Sequence, residues 1–155
     1  MQRRLDSTLR PDQVRPEDYE AIFYAGGHGT MWDFADNVEL AALAARIYAD
    51  GGVVAAVCHG PAGILNIKAP DGSFLIAGRD VTGFSNEEEE AAKLTEVVPY
   101  LLEDELKARG ARYSKAEKFQ KHCVVSGRLV TGQNPASAGA VGEAIVKLLG
   151  NQVPR

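Results

Sequence analysis

Apolar and polar residues follow one another along the chain in blocks that predict strands and helices in turn. Residues 53–57 are all valine or alanine, with glycines before them and Cys58 after them. A wholly apolar run of this kind is typical of a parallel strand that is buried on both faces. Residues 21–25 predict an earlier strand, which leads into a glycine-rich turn at 26–29 where a ligand can approach the backbone closely.

Helical patterns separate these runs. Residues 36–50 are rich in alanine, with apolar side chains at helical spacing, and Ser85 before four glutamates is typical of a capped helix start. The remaining predicted elements are a short helix from Pro61 to Ile67, strands at 74–77 and 80–84, a helix at 100–110, a hairpin turning at Ser126-Gly127 and a last helix ending near Leu149. The alternation predicts an α/β sandwich around a mostly parallel sheet.

Composition narrows the class of protein. The 155 residues suffice for one domain, which we assign to 1–155 with an irregular lead-in at 1–18. The net charge of −4 comes with no basic run, so nucleic acid is not an expected partner. No apolar stretch approaches the roughly 20 residues of a membrane span, and residues 1–6 lack the apolar core of a signal peptide.

The cysteine and histidine content indicates a reducing compartment. Cys58 and Cys123 form no CxxC motif and suggest no disulfide framework, so we expect a cytoplasmic protein. Two cysteines and three scattered histidines do not make a set of zinc ligands, and we expect no metal site.

The end of the apolar strand has the form of a nucleophile elbow. In residues 56–60 the small residues Ala56 and Gly60 lie two positions before and two positions after Cys58, as a tight strand-to-helix turn requires. Pro61 suits the first turn of a following helix. The positive end of that helix is expected to lower the pKa of the thiol, and backbone N–H groups of the turn could bind an oxyanion.

A base and an acid would complete a catalytic unit. His59 is the adjacent candidate base, although its ring cannot be assumed to reach the sulfur, and residues 87–90 offer candidate acids. The simpler interpretations are a buried structural cysteine and a solvated helix start. His28 in its glycine turn is as typical of a functional-site residue as of an ordinary loop histidine. Cys123 lacks the context of an elbow and is interpreted as a structural residue.

Four segments in order resemble the DJ-1/PfpI superfamily, and within it the branch of heat-shock protein 31 in the class I glutamine amidotransferase-like fold. The segments are Phe23-Tyr24-Ala25-Gly26-Gly27-His28-Gly29, Ala55-Ala56-Val57-Cys58-His59-Gly60-Pro61-Ala62, Val81-Thr82-Gly83-Phe84-Ser85-Asn86-Glu87-Glu88-Glu89 and the residues from Gly127 to Ser137. The resemblance covers about residues 19–149. It implies a flavodoxin-like three-layer sandwich.

The resemblance also implies an active site. Its catalytic triad would be Cys58, His59 and Glu89, with Glu88 as the fallback for the acid. Backbone N–H groups at Gly27 and His59 would bind an oxyanion. The oxyanion- or substrate-binding residues that it implies are Gly27, His28 and Gly60.

The implied activity is that of a glutathione-independent glyoxalase, a lyase of the D-lactate dehydratase type that converts methylglyoxal to lactate. Cys58 would form a hemithioacetal with this small reactive aldehyde, and His59 would move a proton between its adjacent carbons. No metal, nucleotide or glutathione would be required. The alternatives are a holdase chaperone for unfolded clients, with an impaired site, and a cysteine-dependent amidase or peptidase. A homodimer is also expected.

The chain departs from this family pattern at its beginning. Members carry a strand, a helix and a second strand before the segment that matches residue 19, together with a glutamate that tunes the cysteine. No residue here matches that motif, so the fold is expected to be truncated at its N-terminus. In the family this first strand lies beside the strand of the cysteine in the middle of the sheet, so its loss is expected to expose an apolar edge. The truncation would be explained by a fragment, a mis-started reading frame or half of a two-chain protein. Alternatively, residues 1–20 or a partner chain would cover the apolar edge.

Overall fold

A four-stranded sheet forms the centre of the fold in the computed structural model, which describes residues 7–151. The segment 1–6, with the start of the predicted lead-in, lies outside the described residues. In spatial order the strands are β1 (Ala21–Tyr24), β2 (Val53–Val57), β6 (Leu129–Gly132) and β5 (Cys123–Ser126). The first three run parallel and β5 is antiparallel, which confirms the α/β class and the hairpin.

Helices alternate with the strands along the described residues. They are α1 (Thr30–Asp33), α2 (Val38–Ala49), α3 (Asn86–Ala91), α4 (Leu102–Ala108) and α5 (Ala138–Gly150). Helix α2 packs against β1 and β2, and α5 packs against β2 and β6. All five residues of β2 are buried, so this strand forms the middle of the core, as its wholly apolar sequence predicts. No helix within residues 7–151 is long and apolar enough to cross a membrane.

The stretch 74–84 contains less strand than its sequence predicts. Only β3 (Asp80–Val81) forms there, and it pairs with β4 (Arg112–Tyr113) as a small parallel sheet. The prediction of a strand at 74–77 is wrong. Ile76 is fully buried, but hydrogen bonds from Ala77 N to Phe74 O and from Arg79 N to Ile76 O fold the backbone into turns. The apolar residues at 74–76 are therefore explained by burial in the core and do not indicate a strand.

The predicted exposed edge lies on a different strand. Strand β2 has a parallel neighbour on each side, because the chain returns at the end to place β6 against it. Within the described residues the unpaired strand edge on that side of the sheet belongs to β1, where the Phe23 side chain is 46% exposed. Residues 11–18 form two short 3₁₀ turns that pack on α2 and add no strand to β1.

Candidate active site

Cys58 is held in a strained backbone conformation immediately after β2. Its φ of 62° lies in the left-handed region, which costs a non-glycine residue about 1–3 kcal/mol. Two hydrogen bonds fix this conformation. The Cys58 N–H donates to the carbonyl of Gly132, and the Cys58 carbonyl accepts from the N–H of Phe84, each at 2.9 Å. The geometry therefore matches the predicted elbow, since neighbouring elements hold the strained residue in place.

Glycines allow the elbow to lie close to β1. A Cβ at Gly26 would come within 2.7 Å of Cys58 Cβ, and one at Gly60 would come within 2.2 Å of the Tyr24 carbonyl oxygen. Gly60 is buried and contributes nothing to the lining of the pocket at Cys58. Its role in substrate binding stays a prediction, and the space that a side chain would occupy here is filled by β1.

Three side chains form a hydrogen-bonded chain that begins at the cysteine. Cys58 Sγ lies 3.4 Å from His59 Nδ1, and His59 Nε2 lies 2.7 Å from Glu89 Oε2. The His59 side chain is fully buried and Glu89 is 3% exposed, so water does not compete for these bonds. His28 adds a fourth member, since its Nε2 lies 2.8 Å from the other oxygen of Glu89.

Helix α3 directs Glu89 and Glu88 to different places. Ser85 caps the helix by accepting from the N–H of Glu88, and the capping box is closed by the Glu88 side chain. Glu88 is fully buried and also accepts from Phe119 N and from Asn134 Nδ2. Burial raises the pKa of Glu88, but these hydrogen bonds outweigh it and the pKa is lowered. Glu89 thus faces His59, whereas Glu88 ties together the loop at Phe119 and the turn at Asn134.

A cavity of about 440 Å³ opens over the sulfur. It is lined by Gly26, Gly27, His28, Val57, Cys58, Phe84, Phe119 and Pro135. The walls are mainly apolar, and the volume suits a small molecule. Sequence reasoning missed Phe119, which has a φ of 62° and reaches the pocket from a loop far along the chain from Cys58. No local pattern marks it.

The electrostatic surroundings contradict the predicted lowering of the thiol pKa. Burial raises the pKa of Cys58 to about 11, although hydrogen bonds from the backbone N–H groups of His59 and Gly27 work in the other direction. The helix that follows is a 3₁₀ segment of five residues, too short for a strong dipole. Burial also lowers the pKa of His59, and the hydrogen bond to Glu89 offsets this only in part. The resting pair is therefore a neutral thiol and a neutral imidazole.

Alkylation of Cys58 is expected to accelerate steadily with pH. The thiolate is the reactive form, so a thiol whose pKa is raised to about 11 should react about tenfold faster per pH unit from pH 8 towards pH 11. The measurement is the rate with iodoacetamide in a Cys123→Ala background, with circular dichroism as a check on folding at each pH. A plateau near pH 8 would show that the thiol pKa is not raised.

One group of side chains has the composition of a metal site. Nitrogens of His28 and His59 and an oxygen of Glu89 lie within 4.8 Å of one another, the one such group within residues 7–151. Both Nε2 atoms already pair with the carboxylate oxygens. The hydrogen bonds therefore satisfy the buried carboxylate without an ion.

The fold and the cysteine elbow define a protein of the DJ-1/PfpI family, and the family model matches residues 1–148. The chain therefore belongs to that family. The predicted heat-shock protein 31-like branch is also confirmed. The chain is 39% identical to a probable glutathione-independent glyoxalase of Schizosaccharomyces pombe and 38% identical to the glutathione-independent glyoxalase HSP31 of Saccharomyces cerevisiae. These matches cover 95% and 91% of this chain, but 59% and 62% of the relatives.

Solved structures agree with the sequence relatives. The 24 kDa rapid encystment protein of Francisella tularensis matches with a TM-score of 0.88 at 43% identity, over 91% of this chain and 63% of that one. Glyoxalase III of Candida albicans matches with a TM-score of 0.84 at 34% identity, over 89% of this chain and 60% of that one. The chain thus spans about 60% of the length of the relatives it matches, and the part that it spans shares their fold.

Proposed function

We propose that this chain carries the site of a glutathione-independent glyoxalase, which converts methylglyoxal to lactate. The observation that carries the proposal is the hydrogen-bonded series Cys58–His59–Glu89, which begins at a cysteine that lines a small apolar cavity. A neutral His59 in contact with a neutral thiol can take the thiol proton as the sulfur attacks, and Glu89 stabilises the imidazolium that forms. The names of the relatives support the same chemistry.

The reaction needs no external oxidant or reductant. The Cys58 sulfur adds to the aldehyde carbon C1, and the C1 oxygen takes up a proton to give a hemithioacetal. The C1 hydrogen then leaves as a proton and C2 gains one, which converts the adduct into a thioester of lactate. Water hydrolyses the thioester, so lactate leaves and the thiol is restored. The oxidation of C1 balances the reduction of C2.

Two backbone groups favour the addition step. The N–H groups of Gly27 and His59 already donate towards the Cys58 sulfur. They stabilise negative charge on the sulfur. When C1 is bonded to the sulfur, the oxyanion on C1 lies next to the same donors. This supports the oxyanion-binding role for Gly27 and His59.

A holdase activity is the second candidate. The observation in its favour is the apolar surface near the unpaired edge of β1, where Leu9, Tyr19 and Phe23 are 45–59% exposed. An open strand edge with exposed apolar side chains can capture extended segments of unfolded proteins.

The free thiols of Cys58 and Cys123 support a reducing location, which we take to be the cytoplasm.

Lactate formation without glutathione tests the proposal. The purified chain is incubated with methylglyoxal in glutathione-free buffer, and lactate is measured enzymatically over time. We expect lactate in proportion to protein, with no added metal or nucleotide. A chain that forms no lactate but suppresses the thermal aggregation of a client protein would replace the glyoxalase proposal with the holdase.

A further inference from the structure

Glu89 accepts a hydrogen bond from each of two histidines, one at each carboxylate oxygen. Oε2 pairs with His59 Nε2 and Oε1 pairs with His28 Nε2. An ionised carboxylate can only accept, so each ring donates through an Nε2–H group. In a neutral ring of this tautomer the free lone pair is on Nδ1. Glu89 thereby sets the same tautomer in both histidines.

The two rings differ in what their Nδ1 atoms can reach. His59 Nδ1 contacts the Cys58 sulfur, the ring is fully buried, and His59 contributes nothing to the lining of the pocket. It can take the thiol proton, but the substrate carbons beyond the sulfur lie in a cavity that His59 does not line. The proton shift from C1 to C2 is therefore best served by a base that itself lines this cavity, a requirement that His59, to which the resemblance gives the role, does not meet.

His28 meets that requirement. It lines the same pocket as Cys58, its side chain is 35% exposed, and within residues 7–151 its Nδ1 has no hydrogen-bond partner. Its ring centroid lies 4.0 Å from that of His59 and 5.8 Å from that of Phe84. These contacts and the bond to Glu89 hold the ring in one orientation beside the sulfur.

We propose that His28 is the base that moves the proton between the two carbons of a 2-oxoaldehyde bound to Cys58, a role that rests on the proposed function. His28 Nδ1 takes the proton from C1. The electrons of that C–H bond form a C1–C2 double bond, and the C2 oxygen takes up a proton from water to give an enediol. His28 then returns its proton to C2, and the C1 hydroxyl loses its proton to water as the thioester carbonyl forms.

This assignment limits the substrate class. Any small aldehyde can add reversibly to the Cys58 thiol, but the proton shift needs a carbonyl at C2 to receive the electrons. We therefore expect turnover of 2-oxoaldehydes such as methylglyoxal and glyoxal. Propionaldehyde has no second carbonyl and should occupy the thiol without being consumed.

The variant that tests the role is His28→Gln. A glutamine amide N–H can still donate to Glu89, but the side chain cannot take up a proton. We expect kcat for lactate formation to fall at least about 100-fold, as for the loss of a general base, while KM and the rate of Cys58 alkylation change less than about threefold. The control is His122→Gln, because His122 lies outside the pocket and bonds to Ser114. This control should keep wild-type kcat.

The outcomes separate this inference from the proposed function. An active wild-type protein with an equally active His28→Gln variant would overturn the role of His28 alone. Nitrogen NMR of the neutral rings gives a readout that does not depend on activity, and an Nδ1–H tautomer at His28 would also overturn it. A wild-type protein that forms no lactate would overturn the proposed function and this role with it. A fall in kcat together with Nε2–H tautomers in both rings would support both.

Discussion

Replacing Cys58 with alanine is expected to abolish lactate formation from methylglyoxal. Without the sulfur no hemithioacetal can form, and neither the proton shift nor the thioester hydrolysis has a substrate. We expect a loss of at least about 10³-fold, since removal of a nucleophile from a catalytic unit costs this much or more. The measurement is the initial rate of lactate production by the purified variant in glutathione-free buffer.

The matched control is Cys123→Ala. Cys123 lies in β5, where it pairs with Gly132 at the far side of the sheet from β1, and it is absent from the pocket lining. This variant should retain wild-type activity. Equal activity in the wild type and in Cys58→Ala would remove the covalent mechanism, whereas equal loss in both variants would point to damage to the fold.

Replacing Gly60 with alanine is expected to destabilise the protein strongly. The added Cβ would lie 2.2 Å from the Tyr24 carbonyl oxygen and 2.9 Å from its carbonyl carbon. These atoms belong to the backbone of β1, so relief requires the elbow to move away from the sheet. Overpacking of a core costs about 1–3 kcal/mol, and a contact with backbone should fall at or above the upper end. The free energy of unfolding in urea measures the effect.

Gly142→Ala provides the control for this change. Gly142 lies inside α5, and a Cβ there would have no atom within 4 Å. Alanine in a helix interior is more favourable than glycine, so this variant should gain about 0.5–1 kcal/mol. If Gly60→Ala were as stable as the wild type, the close packing of the elbow on β1 would be wrong.

Local sequence patterns determined the elements that carry the site. The apolar run at 53–57 predicted the buried strand, the small residues around Cys58 predicted the elbow, and Ser85 before the glutamates predicted the start of α3. Each of these depends on neighbours in sequence, such as an unbroken run of apolar residues, steric limits in a tight turn and a side-chain cap. The resemblance added the family, and the family match confirms it.

Other properties of the site depend on residues that are distant in sequence. The open edge lies on β1 because β6, from the end of the chain, pairs with β2. The pKa of the Cys58 thiol is raised because the fold buries the sulfur. The short helix that follows stabilises the thiolate too little to offset this burial. No spacing rule indicates that Phe119 lines the pocket.

The clearest division between sequence and structure concerns Glu89. The family motif selects it as the acid, but its sequence neighbours are also glutamates, and only the direction of helix α3 separates their roles. The folded chain places both carboxylate oxygens of Glu89 against rings from two different loops, His28 and His59. Sequence thus determined which groups are available for proton transfer. Tertiary structure decided which of these groups share one hydrogen-bond acceptor, because hydrogen bonds form only between side chains that the fold brings within about 3 Å.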